Sequence, residues 1–193
     1  MMKILSIFPG FVGAICILIL LGSIIGFSHQ EKIYDIPIVP CSDDADIGCR
    51  IGMTSSDINV PNAFKLLQIE VDVNWGEPDR SWFGVINKYP EACEPDSNGL
   101  TNCTEGDFEG LIIAGGSDSE GNLKFDMHPN KYRFITGGKD GSTISNQDVT
   151  LDIKVSLNSI IEILLATVGL FLFIGATEMA FPIKKWFEKF RNT

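Results

Sequence analysis

Few residues of this chain are of a type that does chemistry. There are two histidines, His29 and His128. Imidazole nitrogens suit copper. Gly26-Phe27-Ser28 places small residues at the −3 and −1 positions of a cut before His29, the pattern of a signal-peptidase site. Cleavage there would give the chain an N-terminal histidine. Its amine and ring nitrogen, with His128 from a distant strand, would then grip copper. Without cleavage, His29 is a juxtamembrane residue and His128 a turn residue beside Pro129. The carboxylates offer a second metal chemistry. Asp43, Asp44 and Asp46 cluster in one loop, and Asp118, Glu120 and Asn122 alternate in another. Such oxygen ligands suit calcium, although neither loop completes the EF-hand spacing. Most other carboxylates alternate with apolar residues and so belong to a solvated acidic face. No GxSxG, HExxH, Walker or dinucleotide-binding motif is present, so no constellation for catalysis can be assembled. The expectation is a non-enzymatic protein with no obligatory cofactor, calcium and copper being the candidates.

Of the five cysteines, Cys16 lies in an apolar block and reads as a packing residue. Cys41, Cys49, Cys93 and Cys103 allow three pairings. Pairing Cys41 with Cys49 and Cys93 with Cys103 is expected, because each pair brackets a short polar loop with little to bury. Each bond would contribute roughly 2–3 kcal/mol by restricting the unfolded chain. A metal site built from all four fits spacings of eight and ten residues poorly. Disulfides imply an oxidising compartment, where Asn102-Cys103-Thr104 is a glycosylation sequon. Trp75, Trp82 and Phe83 flank the turn from Glu77 to Arg80 and form either a contact patch for a partner or part of the core.

These residues are positioned by a chain of 193 residues with 15 Lys+Arg, 25 Asp+Glu and a formal charge of −10. An acidic chain lacks the basic footprint of a nucleic-acid binder. The apolar residues concentrate at the two ends. Ile4 to Phe27 is an uncharged run of 24 residues, and Ile160 to Ile183 is a second block, charged only at Glu162 and Glu178. At about 1.5 Å per residue, each spans a bilayer core of about 30 Å. The first run is longer than the apolar centre usual in a signal peptide, so a retained helix over 1–28 is favoured over a cleaved one. Gly22 and Gly26 form a GxxxG, a close-approach motif for membrane helices.

The segment between the blocks carries 22 Asp+Glu against 10 Lys+Arg, while Lys184, Lys185, Lys189 and Arg191 against Glu188 leave the tail at +3. The positive-inside rule places the middle outside and both ends in the cytoplasm. Trp186, Phe187 and Phe190 among the lysines read as an interfacial anchor. The expected organisation is an N-terminal helix at 1–28, an extracytoplasmic domain at 29–157, a second helix at 158–183 and a basic cytoplasmic tail at 184–193.

Within the middle segment, Leu67, Ile69, Val71, Val73 and Trp75 alternate with polar residues, as do Val149, Leu151, Ile153, Val155 and Leu157. That period of two predicts strands with one face in water. Shorter strands are predicted at Trp82–Ile86, Leu111–Ala114, Leu123–Met127 and Tyr132–Thr136, separated by Gly, Pro and Asn turns. Many short strands and no helical period predict a mainly β fold, an antiparallel β sandwich flanked by two transmembrane helices. Strands 132–136 and 149–157 are expected to be neighbours. Residues 35–62, with Pro37, Pro40 and Pro61, are expected to form an extended arm, with an edge strand near Ile33 to Val39.

The stretch Leu123 to Leu157, "LKFDMHPNKYRFITGGKDGSTISNQDVTLDIKVSL", resembles the last strands of membrane-anchored accessory β sandwiches, the GOLD-domain cargo receptors and pre-peptidase-like domains. The tail Lys184-Lys185-Trp186-Phe187 is similar to the short Lys/Phe tails of cargo receptors. More remotely, an N-terminal histidine, a β domain and a following membrane helix resemble the copper-binding B subunit of membrane-bound ammonia and methane monooxygenases. That family adds two histidines one residue apart, whereas His128 here is followed by Pro129-Asn130-Lys131-Tyr132-Arg133-Phe134. The first resemblance implies a class of fold, and the second implies copper binding. The expected function is an accessory or adaptor subunit working with other membrane-protein subunits through its acidic β domain, and the alternative is a metal- or ligand-binding ectodomain.

Overall fold

A computed structural model describes residues 7–41 and 48–180 of the chain. These divide into two compact units, one built from the terminal helices and one from the residues between them.

The helical unit holds α1 (Ile7–Ile25) and α2 (Ser159–Ala180), both long and apolar enough to cross a membrane. Most of their large apolar side chains are exposed, as lipid-facing residues must be. The helices approach closely where side chains are smallest. A Cβ on Gly13 would lie 3.2 Å from Phe173 and 3.3 Å from the Gly169 carbonyl, and one on Gly169 would lie 3.4 Å from Cys16. Within the hairpin the close approach falls at Gly13 and Gly169 and not at Gly22. Gly22 has nothing within 4 Å. Gly26 ends α1 at φ 72°, its N–H donating to the carbonyls of Gly22 (3.1 Å) and Ser23 (2.9 Å), the usual work of a glycine just past a helix. Ser23 ties the hairpin polar groups together: its hydroxyl donates to Glu162 Oε1 at 2.7 Å and accepts from the Leu157 N–H at 2.8 Å.

The β unit is a sandwich. One sheet has the order β1–β10–β4–β8, from β1 (Phe27–Pro37), β4 (Leu67–Trp75), β8 (Asn122–Asp126) and β10 (Asn146–Leu157). The other has the order β6–β2–β9–β5–β7, from β2 (Arg50–Met53), β5 (Ser81–Ile86), β6 (Leu100–Thr104), β7 (Ile112–Gly115) and β9 (Lys131–Gly138), with the short β3 (Ile58–Asn59) also paired to β9. The registered pairs β2–β6, β2–β9, β4–β8, β5–β7 and β5–β9 are antiparallel. In β4 the alternating apolar side chains Ile69, Val71, Val73 and Trp75 are buried and enter the core between the sheets. The expected neighbours β9 and β10 lie in different sheets. The turn between them, from Lys139 to Ser145, carries the chain from one layer to the other, as in a sandwich crossover.

The second sheet is covered on both faces. In β5 every residue is buried: Phe83 and Val85 face the inter-sheet core, while Trp82 and Ile86 face a second cluster with Ile51, Met53, Ile135 and Phe108. Phe108 sits in a 3-10 turn (Glu105–Phe108) whose first turn is held by a capping box between Thr104 and Asp107. The Cys93–Cys103 disulfide staples this cover, and Cys93 is itself buried in it.

Candidate functional site

Packing in the β unit is tight at Trp82 and Gly137, paired across β5 and β9. A Cβ on Gly137 would meet the indole at 2.7 Å. The proposed contact patch of Trp75, Trp82 and Phe83 is thereby overturned, since the three are 6%, 2% and 3% exposed. Trp75 Nε1 donates to the Ser81 carbonyl at 3.2 Å, and its ring lies 5.1 Å from that of Phe83. The turn from Glu77 to Arg80 folds the two strands so that these rings face inward.

The opposite condition holds where β1 and β10 face β2 and β9. There the sheets leave a cavity of about 440 Å³. Val73, Val149 and Leu151 line it from the first sheet, and Gly52, Phe83, Phe134 and Thr136 from the second. Ile33, Ile36, Pro37, Ile38 and Val39 close one side, and the turn from Ser97 to Leu100 the other. Among the described residues, none that lines it is charged. Exposed Thr54, Ser55, Ser97 and Asn98 supply uncharged polar groups at the mouth. The Thr136 hydroxyl, deeper in, donates to the Pro37 carbonyl at 3.4 Å.

One backbone feature builds this wall. In a regular strand, Ile33 and Ile36 point to opposite faces. Asp35 takes φ 55°, a left-handed conformation that aspartate tolerates better than most residues. The alternation is reset there, and both isoleucines line the cavity. Asn146 Nδ2 donates to Asp35 Oδ1 at 3.3 Å, and the Asp35 N–H donates to Asp148 Oδ1 at 3.4 Å, holding the kink against β10.

The volume falls in the range of small-molecule sites, about 300–1,000 Å³. Sealed and empty, 440 Å³ would cost on the order of 10 kcal/mol at about 24 cal/mol per Å³. That approaches the entire net stability of an ordinary domain. An engineered apolar cavity of about 150 Å³ stays dry and takes benzene. This larger one opens to solvent and favours an apolar occupant.

The metal candidates separate. Among the described residues, one group of converging His, Cys, Asp or Glu ligands forms: Cys41, Cys49 and Asp140. Cys41 and Cys49 are joined as a disulfide with Cα atoms 5.0 Å apart, and Cys93–Cys103 has Cα atoms 5.4 Å apart. Asp140 Oδ1 lies 3.5 Å from the Cys41 sulfur and 3.6 Å from that of Cys49. Disulfide sulfurs carry no thiolate to bind a metal, so the group is a ligand set only when reduced. Sequence spacing did not reveal it, because Asp140 is brought in by the Lys139–Gly141 turn from far along the chain. His29 is exposed on β1 and His128 exposed between β8 and β9, and neither belongs to such a group. The His128 backbone has a structural part: its N–H donates to the Tyr132 hydroxyl at 2.9 Å, and that hydroxyl donates to its carbonyl at 2.8 Å. Asp118, Glu120 and Asn122 are all exposed around the β7–β8 turn, with no third acidic group converging on them among the described residues. Asp43, Asp44 and Asp46 lie outside the described residues. Asn102 is exposed on β6.

Ion pairs tie the surface. Arg133, which is buried, places Nε 2.6 Å from Asp57 Oδ1 and its guanidinium carbon 4.2 Å from the Tyr89 ring centre. The Arg133 hydrogen bond and charge hold the Asp57 carboxyl below its ordinary value of 3.8. Lys124 does the same to Glu70, and Lys32 to Asp148.

No known protein family matches the chain, and no curated protein matches its sequence. Solved structures match remotely. The Bacillus endospore appendages, disulfide-linked pili, match at 9% identity over 69% of this chain and 91% of that one, with a TM-score of 0.28. IMPa from Pseudomonas aeruginosa, solved with an O-glycopeptide, matches at 11% identity over 69% of this chain and 13% of that one, at 0.29. CorA, a surface-associated copper-binding protein of Methylomicrobium album BG8, matches at 9% identity over 67% and 93%, at 0.27. Likeness of this degree carries no argument, and the fold and cavity stand on their own geometry. The class they define is a disulfide-bonded β sandwich joined at both ends to apolar helices.

Proposed function

We propose that the protein is a non-enzymatic, membrane-anchored accessory component whose extracytoplasmic sandwich works by binding an apolar ligand between its sheets. The cavity carries this reading: it is large, apolar, free of charge and open at a polar uncharged mouth. The two apolar helices supply the anchor, and two disulfides suit an oxidising compartment outside the cytoplasm. The acidic ectodomain and basic tail orient the chain with its sandwich outside. Binding of this kind needs no nucleophile, base or resident metal.

The test is photolabelling of the full chain, reconstituted in nanodiscs, with a small neutral alkyl diazirine. Saturable labelling of peptides from β1, β2 and β10 is expected, with loss of that labelling in Leu151→Trp, which fills the space. Labelling of these peptides that neither saturates nor responds to Leu151→Trp would overturn the proposal.

A further inference from the structure

We infer that the natural occupant of the cavity is the hydrocarbon chain of a neutral membrane lipid, an inference that rests on the ligand-binding reading above. Three observations lead there. First, charge selects the ligand. Among the described residues the lining holds no cation to pair a carboxylate or phosphate, and the segment between the helices carries 22 Asp+Glu against 10 Lys+Arg. An anionic headgroup at the mouth finds no cation among the described residues that line it, and the acidic surface repels one before it arrives. The polar groups on offer, at Thr54, Ser55, Ser97 and Asn98, are hydroxyls and an amide, suited to a glycerol or alcohol headgroup at the mouth.

Second, covalent connection puts a lipid source within reach. Gly26 is the single residue between α1 and β1, and Asn158 the single residue between β10 and α2. Ile33 lies seven residues beyond Gly26, and Leu151 seven before Asn158. At about 3.3 Å per extended residue, each of these lining residues is within about 25 Å of a helix end, whatever angle the two units adopt. Third, the lining is amphipathic: the apolar Pro37, Ile38, Val39, Val73, Val149 and Leu151 share the cavity with the exposed polar Thr54, Ser55, Ser97 and Asn98. An occupant with an apolar body and one polar end matches that division.

The experiment uses the full chain in nanodiscs and three diazirine probes: a monoacylglycerol, a fatty acid of the same chain length, and the small neutral alkyl probe. Labelling of α1 and α2 reports delivery to the bilayer. The expected result is labelling of β1, β2 and β10 peptides by the monoacylglycerol about tenfold above the fatty acid, because the acidic surface repels the carboxylate. Leu151→Trp should abolish this signal while leaving helix labelling unchanged. If the small probe labels the cavity peptides but the monoacylglycerol does not, or the fatty acid labels them equally well, the lipid inference fails and the ligand-binding reading stands. If no probe labels them in a Leu151-dependent way, both fail.

Discussion

Val73 and Val149 each line the cavity and are each 3% exposed, whereas Val85, at 0%, is packed on all sides in the same core and lies outside the cavity. Valine to isoleucine adds one methylene and keeps the β-branched shape that strands prefer. In a filled core the extra group forces off-rotamer packing and costs about 1–3 kcal/mol. Against open apolar space it gains the transfer free energy of a buried methylene, about 0.8 kcal/mol. Val73→Ile and Val149→Ile should therefore each stabilise the β unit by about 0.8 kcal/mol, and the pair should depart from the simple sum because the two share one cavity. Val85→Ile should destabilise it. The assay is urea unfolding of the full chain in detergent, followed by Trp75 and Trp82 fluorescence, since both indoles are buried and report the sandwich core. A shift of the midpoint at constant slope gives the free-energy change. The reasoning is refuted if both cavity variants lower the midpoint as Val85→Ile does, because the space would then be absent in solution.

Gly137→Ala should cost more than 1 kcal/mol, since the new methyl would meet the Trp82 indole at 2.7 Å with no side-chain freedom to yield; the same urea titration reads it. Replacing Cys93 and Cys103 together by serine should cost about 3 kcal/mol from the ten-residue loop alone, seen as a lower midpoint that reductant no longer shifts through this bond. Ser23→Ala should weaken the helical hairpin by about 1 kcal/mol by removing the Glu162 and Leu157 hydrogen bonds, measured as easier unfolding in SDS. Acid should destabilise the β unit. Asp57, Glu70 and Asp148 are held below their ordinary values of 3.8, 4.5 and 3.8 by Arg133, Lys124 and Lys32. Their contribution is complete above those ordinary values and is lost as pH falls through the lower folded ones. Arg133→Met should remove the Asp57 part of that loss in urea midpoints measured from pH 6 to pH 2.

The amino-acid sequence by itself determined the local elements. Twenty-odd apolar residues at each end allow only helices in a bilayer, since every backbone group there must be satisfied within its own segment. Both alternating stretches form strands, β4 and β10, because a period of two is a local property of the pleat; burial alternates along β4 but evens out in β10 beyond Val149. Strand β5 was legible as a strand, but its lack of alternation hid its meaning: Trp82 and Phe83 are both buried because a second layer, brought in by the Cys93–Cys103 excursion, covers the outer face. Strands β2 and β6 were not legible, since Arg50–Met53 and Leu100–Thr104 carry too few apolar residues to show a period and exist as strands only through their pairing with each other and with β9. The tertiary structure alone decided the site. A cavity is a shortfall of volume between residues distant in the chain, and no residue type marks it in advance. Here it arises where β1 kinks at Asp35 and Pro37–Val39 meet the edge of the two sheets, with no other described residue filling the gap.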